Sequence, residues 1–385
     1  MTYSMYSGVF SIVIMVSFML PAVIAGLSGK SVKWLGMLAS IPMIALIMGL
    51  HSKQMIQFLM FIVCEIILVF GYYLFHKRSK SELVYFVVMG LSMLPIIIVK
   101  LCVYAERYNA LGFIGISYIS FRVWQMIIEI HDGKIQKISL PDMIYFFVFF
   151  PTLTSGPVDR YLRFSEDIKA KRTSKEYIRD FLMPGVKKIL MGALYKLIIA
   201  ALIKTYLLDM IPVEITVVNA IKYMYTYTLY LFFDFAGYSN FAIGTSYILG
   251  IKSPENFNKP FLARNMKEFW DRWHISLSRW FTDYVFSRFV LNNIRNGLFK
   301  SKKTASRCGY LVSMTLMGLW HGVFVSYFVY GLYQAVMLII SDSHTKSKFF
   351  RKYKDSRRYN LLSRIICFNV ISFGMLLFSG YLFSF

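Results

Sequence analysis

Two histidines, His274 and His321, are the residues of this sequence best suited to chemistry. Neutral imidazole is the side chain most able to take a proton from a hydroxyl near neutral pH. Both stand in apolar, aromatic-rich stretches, where a polar group is costly to keep. His274 follows Trp270 and Trp273 and is in register with Ser278 one helical turn later, while His321 sits in the turn Trp320-His321-Gly322. Taken singly, each has a plain reading as a packing residue; the pair makes proton transfer the better account. No Gly-x-Ser-x-Gly elbow, phosphate loop or His-Glu-x-x-His pattern occurs, and no third ligand near either histidine suggests zinc. The pattern points to direct group transfer assisted by a general base, without a metal and without a covalent acyl-enzyme.

Few other polar residues are embedded in apolar runs. Arg122 and Glu129 fall on one face of a predicted helix, and Asp234 ends the run Leu229-Tyr230-Leu231-Phe232-Phe233. For Arg122 and Glu129 the plainer role is an internal polar pair or cap that ties helices together and shapes a cavity. The tryptophans read first as anchors and packing residues. Cys64, Cys102, Cys308 and Cys367 are scattered without short spacing and read as small packing residues.

The elements that must hold these residues are membrane helices. The chain has 385 residues, 57% of them apolar and only 16% charged, and its apolar residues fall in blocks of about 20. The stretch Gln54 to Phe75 carries Glu65 as its only charge. Backbone polar groups at that depth must pair within the segment, and all-round apolar runs lack the alternation of barrel strands, so the fold class is all-α. Candidate spans are Val9–Leu27, Trp34–Leu50, Gln54–Phe75, Leu83–Ala105, Gly112–Ile130, Ile189–Ile211, Val217–Phe235 and Leu361–Phe385. The first reads as a retained span and not a cleaved signal, because no basic residue precedes it. Lys30 and Lys33 follow it, which places the N-terminus outside.

Asp142–Gly156, Gly237–Gly250 and the two halves of Cys308–Ile340 are short for full crossings and read as re-entrant or broken helices around an internal cavity. With them, the expectation is about 10–11 membrane helices. The loops Asn292–Arg307 and Ser341–Tyr359 are rich in Lys and Arg and belong in the cytoplasm. The segment between them must leave and return, with His321 near its deepest point. Met266–Tyr284 reads as one amphipathic interfacial helix, with Trp270, Trp273, Leu277, Trp280 and Tyr284 on one face. Asp159–Asp180, the longest hydrophilic stretch, is expected to form short interfacial helices. No repeat or domain boundary is visible. The chain reads as one membrane domain: peripheral spans over 1–111, a core over 112–340, and a basic loop with the last span over 341–385.

The formal charge of +23 is explained mostly by cytoplasmic loops, with room for an acidic protein partner. Nucleic acid is excluded as a partner, since the charges sit in short loops between spans and not on a separate domain.

Five segments, in order, resemble the membrane-bound O-acyltransferase superfamily. They are Phe150-Pro151-Thr152-Leu153-Thr154-Ser155-Gly156-Pro157, Phe233-Asp234-Phe235-Ala236-Gly237-Tyr238-Ser239, Pro254-Glu255-Asn256-Phe257-Asn258-Lys259-Pro260, Phe269-Trp270-Asp271-Arg272-Trp273-His274-Ile275-Ser276-Leu277-Ser278, and Met317-Gly318-Leu319-Trp320-His321-Gly322. Within the superfamily the chain is most similar to the D-alanyl-transfer branch of Gram-positive bacteria, through Gly115–Tyr118, Glu129–Gly133, Ser155–Tyr161 and Trp280–Phe286.

The resemblance implies a multi-pass protein of the cell membrane. In it a D-alanyl thioester, on the phosphopantetheine arm of a small acidic carrier protein, is offered from the cytoplasm. The alanyl group passes through a central tunnel toward teichoic acid or a membrane-anchored protein acceptor. It implies no permanently bound cofactor. His321 would activate the acceptor hydroxyl, and His274 would line the tunnel or orient the thioester. Trp270, Trp273, Ser278, Trp320, Asp234, Arg122 and Glu129 are the further lining candidates. O-acetylation of a wall or exopolysaccharide would use the same histidines with another donor, but Ser287-Arg288-Phe289-Val290 stands where the alginate-acetylating branch carries a Pro-Leu-Gly-Gly-Asn-Arg type loop. A transporter would predict two related halves, and no internal repeat is found.

Overall fold

The computed structural model describes residues 9–105, 111–212 and 214–383. The last two residues of the expected span Leu361–Phe385 lie outside the described residues. Apart from an isolated antiparallel bridge between Phe257 and Trp273, the regular structure among the described residues is helical, as all-round apolar runs require. Helices α1 (Val9–Leu27), α2 (Lys33–Ile47), α3 (Ser52–His76) and α4 (Glu82–Tyr104) fall where hydropathy places them. They are followed by α5 (Ile116–His131), α6 (Leu140–Val148) and α7 (Tyr161–Lys169). Next, α8 (Ser174–Tyr177), α9 (Met183–Gly192) and α10 (Ala201–Ile203) are joined by wider π-type turns into one helical path. Then come α11 (Val217–Ile248), α12 (Met266–Trp270), α13 (Ile275–Phe281) and α14 (Ser287–Arg295). The chain finishes with α15 (Lys302–His321), α16 (Val325–Thr345), α17 (Lys348–Tyr353) and α18 (Arg357–Phe378).

Among the described residues α3, α4, α16 and α18 are long and apolar enough to cross a membrane, and Ile12–Leu27 and Lys33–Ile47 are shorter apolar helices. The starts of the helices near the basic loops are set by serines. Ser301, Ser347 and Ser356 accept backbone N–H groups of α15, α17 and α18, the preference expected at an N-cap.

Three expectations are corrected. The expected span Val217–Phe235 and the short piece Gly237–Gly250 are one continuous helix, α11, because Gly237 serves close packing and does not break the helix. The interfacial helix expected over Met266–Tyr284 is interrupted between α12 and α13, where His274 takes a left-handed backbone at φ 43°. The two halves of Cys308–Ile340 extend into the basic loops as α15 and α16, of 20 and 21 residues. At 1.5 Å per residue each is about 30 Å long, the thickness of a hydrocarbon core. α16 is apolar enough to cross a membrane, whereas α15, with Lys302, Lys303 and Arg307 in its first turns, is not among the helices that are. His321 is the last residue of α15.

The chain forms two compact units: residues up to Leu197 with Gly237–Pro254, and Ile198–Ala236 with residues from Glu255 onward. In the first, Arg122 is almost fully buried and donates to the carbonyls of Phe146 (2.7 Å), Phe147 (3.2 Å) and Thr152 (2.6 Å) and to the Thr152 hydroxyl (2.6 Å). These carbonyls lie where α6 ends and the chain turns, and a guanidinium is the side chain with enough donors to satisfy them. The carboxylate of Asp142, at the start of α6, is buried against Lys33 (2.5 Å) and Lys169 (3.3 Å). A second tie joins α9 to α11: a Cβ on Gly185 would lie 2.9 Å from the Gly244 carbonyl, and one on Gly192 2.9 Å from that of Gly237. Small residues permit such backbone contact between membrane helices.

In the second unit α15 and α16 form a hairpin in close contact. A Cβ on Gly331 would stand 2.7 Å from the Met314 carbonyl, and one on Gly318 3.1 Å from the Gly331 Cα. α16 also packs on α18, where the Tyr333 hydroxyl donates to the Val370 carbonyl at 2.8 Å.

Candidate active site

His274 is positioned by backbone geometry first. Asn265 caps α12 by accepting the Glu268 N–H at 2.9 Å, and after one turn the chain reverses through residues 271–274. The segment 256–258 lies antiparallel to 272–275. The Asn258 N–H donates to the Arg272 carbonyl (2.9 Å), the Ile275 N–H donates to the Asn256 carbonyl (3.0 Å), and Phe257 bridges Trp273. This pairing brings the fully buried Asn256 side chain beneath the histidine.

Asn256 Oδ1 accepts the Ser276 hydroxyl at 2.6 Å and the Ser276 N–H at 3.3 Å, and it lies 3.3 Å from His274 Nδ1. An amide oxygen that accepts from Ser276 accepts from the imidazole too, so the network assigns the proton to Nδ1. Nε2 then carries the lone pair. It is buried and meets no protein hydrogen-bond partner, so its lone pair is free to accept a proton or a hydrogen bond. The Phe235 ring meets the imidazole edge to face at 4.7 Å. His274 lies between α12 and α13, outside the helices long and apolar enough to cross a membrane. Burial pushes its imidazole down to about 3, with a smaller contribution of the same sign from His321. It is therefore neutral at every physiological pH, and His321 is close enough to be felt.

His321 ends α15. Gly322 follows with extended backbone, its N–H donating to the Gly318 carbonyl. The imidazole is half-buried among aromatic rings: Trp320 at 4.6 Å, Phe378 edge to face at 4.9 Å, Tyr327 at 6.0 Å and Tyr330 at 6.5 Å. α15, α16 and α18 each contribute to this cage.

Of the lining candidates, Trp270 and Trp273 are buried, and Trp270 Nε1 has no hydrogen-bond partner. Trp273 stacks on Phe269 at 5.6 Å and meets Phe257 edge to face at 5.1 Å. Ser278 is half-buried in α13, its N–H donating to the His274 carbonyl. Asp234 is half-buried on α11 beside Phe235, and Trp320 adjoins His321. All of these belong to the unit that holds both histidines. Arg122 and Glu129 belong to the other unit, and of the two expected roles, pair or cap, Arg122 takes that of a cap on the carbonyls at the end of α6. Arg122 binds backbone carbonyls, and the Glu129 carboxylate accepts Gln125 Nε2 at 2.6 Å. Asn256, Ser276 and Phe235 were not singled out from sequence, although all three lie inside the family-like segments. A buried asparagine in such a segment was the available signal.

The sequence matches the MBOAT, membrane-bound O-acyltransferase family over residues 56–384. The chain belongs to this family. Among curated relatives, the teichoic acid D-alanyltransferase of Bacillus subtilis (strain 168) is 40% identical across 97% of this chain and 98% of its own length. That of Streptococcus thermophilus is 38% identical across 90% and 87%. A probable alginate O-acetylase AlgI from Pseudomonas syringae is 32% identical, but over only 60% of this chain and 43% of its own length. The MBOAT chain is thus an acyltransferase, and the residues for a metal are not gathered: among the described residues no group of three or more His, Cys, Asp or Glu could hold one.

Proposed function

We propose that this acyltransferase moves D-alanine from a thioester on the phosphopantetheine arm of a small acidic carrier protein toward teichoic acid, across the cell membrane of a Gram-positive bacterium. The observation that carries the reading is the buried, neutral His274, oriented by Asn256 and within electrostatic reach of His321, in a chain similar end to end to teichoic acid D-alanyltransferases. The acceptor oxygen attacks the thioester carbonyl carbon, the new C–O bond forms and the C–S bond breaks. The acceptor proton passes to His321 and then to the departing thiolate. His274 would hold the donor through Nε2, and the tryptophans and Asp234 would line the path. A thioester is already activated, so alignment and one proton transfer are the protein's main tasks.

The test is transfer of labelled D-alanine from a charged carrier protein to a teichoic acid acceptor by the purified protein in lipid vesicles. Label should move with the native chain and not with His321→Ala, while the variant keeps its elution profile and melting temperature. Label that moves equally with His321→Ala removes the base assignment. Transfer of acetyl and not of D-alanyl groups would replace the donor.

A further inference from the structure

The loop between α1 and α2, the turn after α7 and the turn after α11 enclose a cavity of about 370 Å³ within the first unit. Its lining includes Lys30, Lys33, Lys169, Lys171 and Arg172 but a single carboxylate, Asp167. Lys33 and Lys169 also reach the buried Asp142, and Arg172 is paired with Asp167. Lys30 and Lys171 are exposed and take part in no ion pair among the described residues. The N-terminus of α2 opens on the same space; the Ser31 hydroxyl accepts its first N–H, that of Lys33, at 3.4 Å, and Val32 at the cap position offers no side-chain acceptor. The remaining first-turn N–H groups and the helix dipole favour an anion. Gly29 and Gly250, both with positive φ, turn the chain at the rim, and a Cβ on Gly250 would crowd Val32 and the Arg172 guanidinium.

The bias of basic residues places the α1–α2 loop at the cytoplasmic headgroup level. Below it, Ile24, Leu27, Trp34, Leu38 and Ile41 are exposed on the two helices that flank the cavity. A cationic pocket above exposed aliphatic helix faces matches an amphiphile with an anionic head, and basic pockets between helices on the cytoplasmic side do hold lipid headgroups. We propose that this cavity binds the phosphate headgroup of an anionic membrane phospholipid, with the acyl chains along α1 and α2. The site is independent of the acyl-transfer reading.

Native mass spectrometry on the purified chain in detergent, titrated with phosphatidylglycerol, phosphatidylcholine or soluble glycerol phosphate, tests this. Phosphatidylglycerol should bind with preference, and the double variant Lys30→Gln/Lys171→Gln should bind it roughly thirtyfold more weakly, each basic residue at a headgroup being worth about 1 kcal/mol. Neither lysine holds the fold through an ion pair, so the melting temperature should be unchanged. The control Lys352→Gln/Lys354→Gln, on exposed residues of the other unit, should bind as the native chain does. Equal binding of phosphatidylcholine, an equal loss in the control, or no loss in the double variant overturns the proposal. Displacement of the lipid by millimolar glycerol phosphate would reassign the site to a soluble phosphate.

Discussion

The contact between Asn256 and His274 is a positioning contact, and it can be tested as one. Replacing Asn256 with leucine removes the acceptor that fixes Nδ1–H and leaves the Ser276 hydroxyl without its partner. Transfer should fall roughly tenfold to a hundredfold, within the range that general acid–base and orienting groups supply, while the melting temperature drops by only a few degrees. Asn256→Asp keeps an acceptor but adds a charge that favours the imidazolium. Its activity should be lost at mildly acid pH, where the native chain remains active. The sign for stability follows from burial. The folded His274 titrates near 3, below the ordinary value of about 6.5, so between those values the unfolded chain binds the extra proton. Thermal stability in detergent should therefore fall as pH drops below about 6.5. The His274→Gln variant should lose that slope. At this scale the sequence was legible where chemistry left few alternatives: a histidine in an apolar stretch stands out, whereas the asparagine beneath it looks like any polar loop residue.

The helices give a different measure. Spans α1 to α4 could be placed within a few residues because their apolar runs are uninterrupted, and the serine caps mark their neighbours in the basic loops. The break before α13 was not legible. The heptad-like aromatic spacing of Trp270, Trp273, Leu277 and Trp280 fits a single helix, and a left-handed φ at a non-glycine residue is set by tertiary pairing, here with residues 256–258. Gly237 misled in the opposite sense, since a glycine that lets helices touch reads in sequence like one that ends a helix. The α15–α16 contact yields a paired prediction. Gly331→Leu must push α16 off the Met314 carbonyl, and overpacking of this kind costs about 1–3 kcal/mol. The variant should melt several degrees lower and lose most of its transfer, because His321 is carried by the hairpin. Gly90→Ala, in α4 where a Cβ meets nothing within 4 Å, should be neutral or raise the melting temperature slightly, through the better helix propensity of alanine.

For the whole molecule, the lengths of α15 and α16 predict topology. Both start or end in basic loops, so the turn at residues 322–324 should open on the face opposite those loops. In a cysteine-free background, Phe324→Cys, an exposed position, should react with an impermeant maleimide added to intact cells. Lys346→Cys should react only after permeabilisation. Labelling of both from the same side would make the hairpin re-entrant, as the shorter legs first read from hydropathy suggested. Beyond the long apolar helices, the extent of the elements was hard to read, since α11 carries enough polar residues to hide its length and α6 ends after nine residues. That early ending is what Arg122 permits. Its guanidinium takes over the hydration that carbonyls 146–152 would otherwise need, in a place water does not reach. The bonds run from the middle of α5 to the last turn of α6 and the 3₁₀ turn Phe150–Thr152 and break only together, since releasing one carbonyl strands a polar group in hydrocarbon. Whatever opens and closes during a transfer cycle, α5 and this turn should travel as one rigid piece, and hinges should be sought elsewhere.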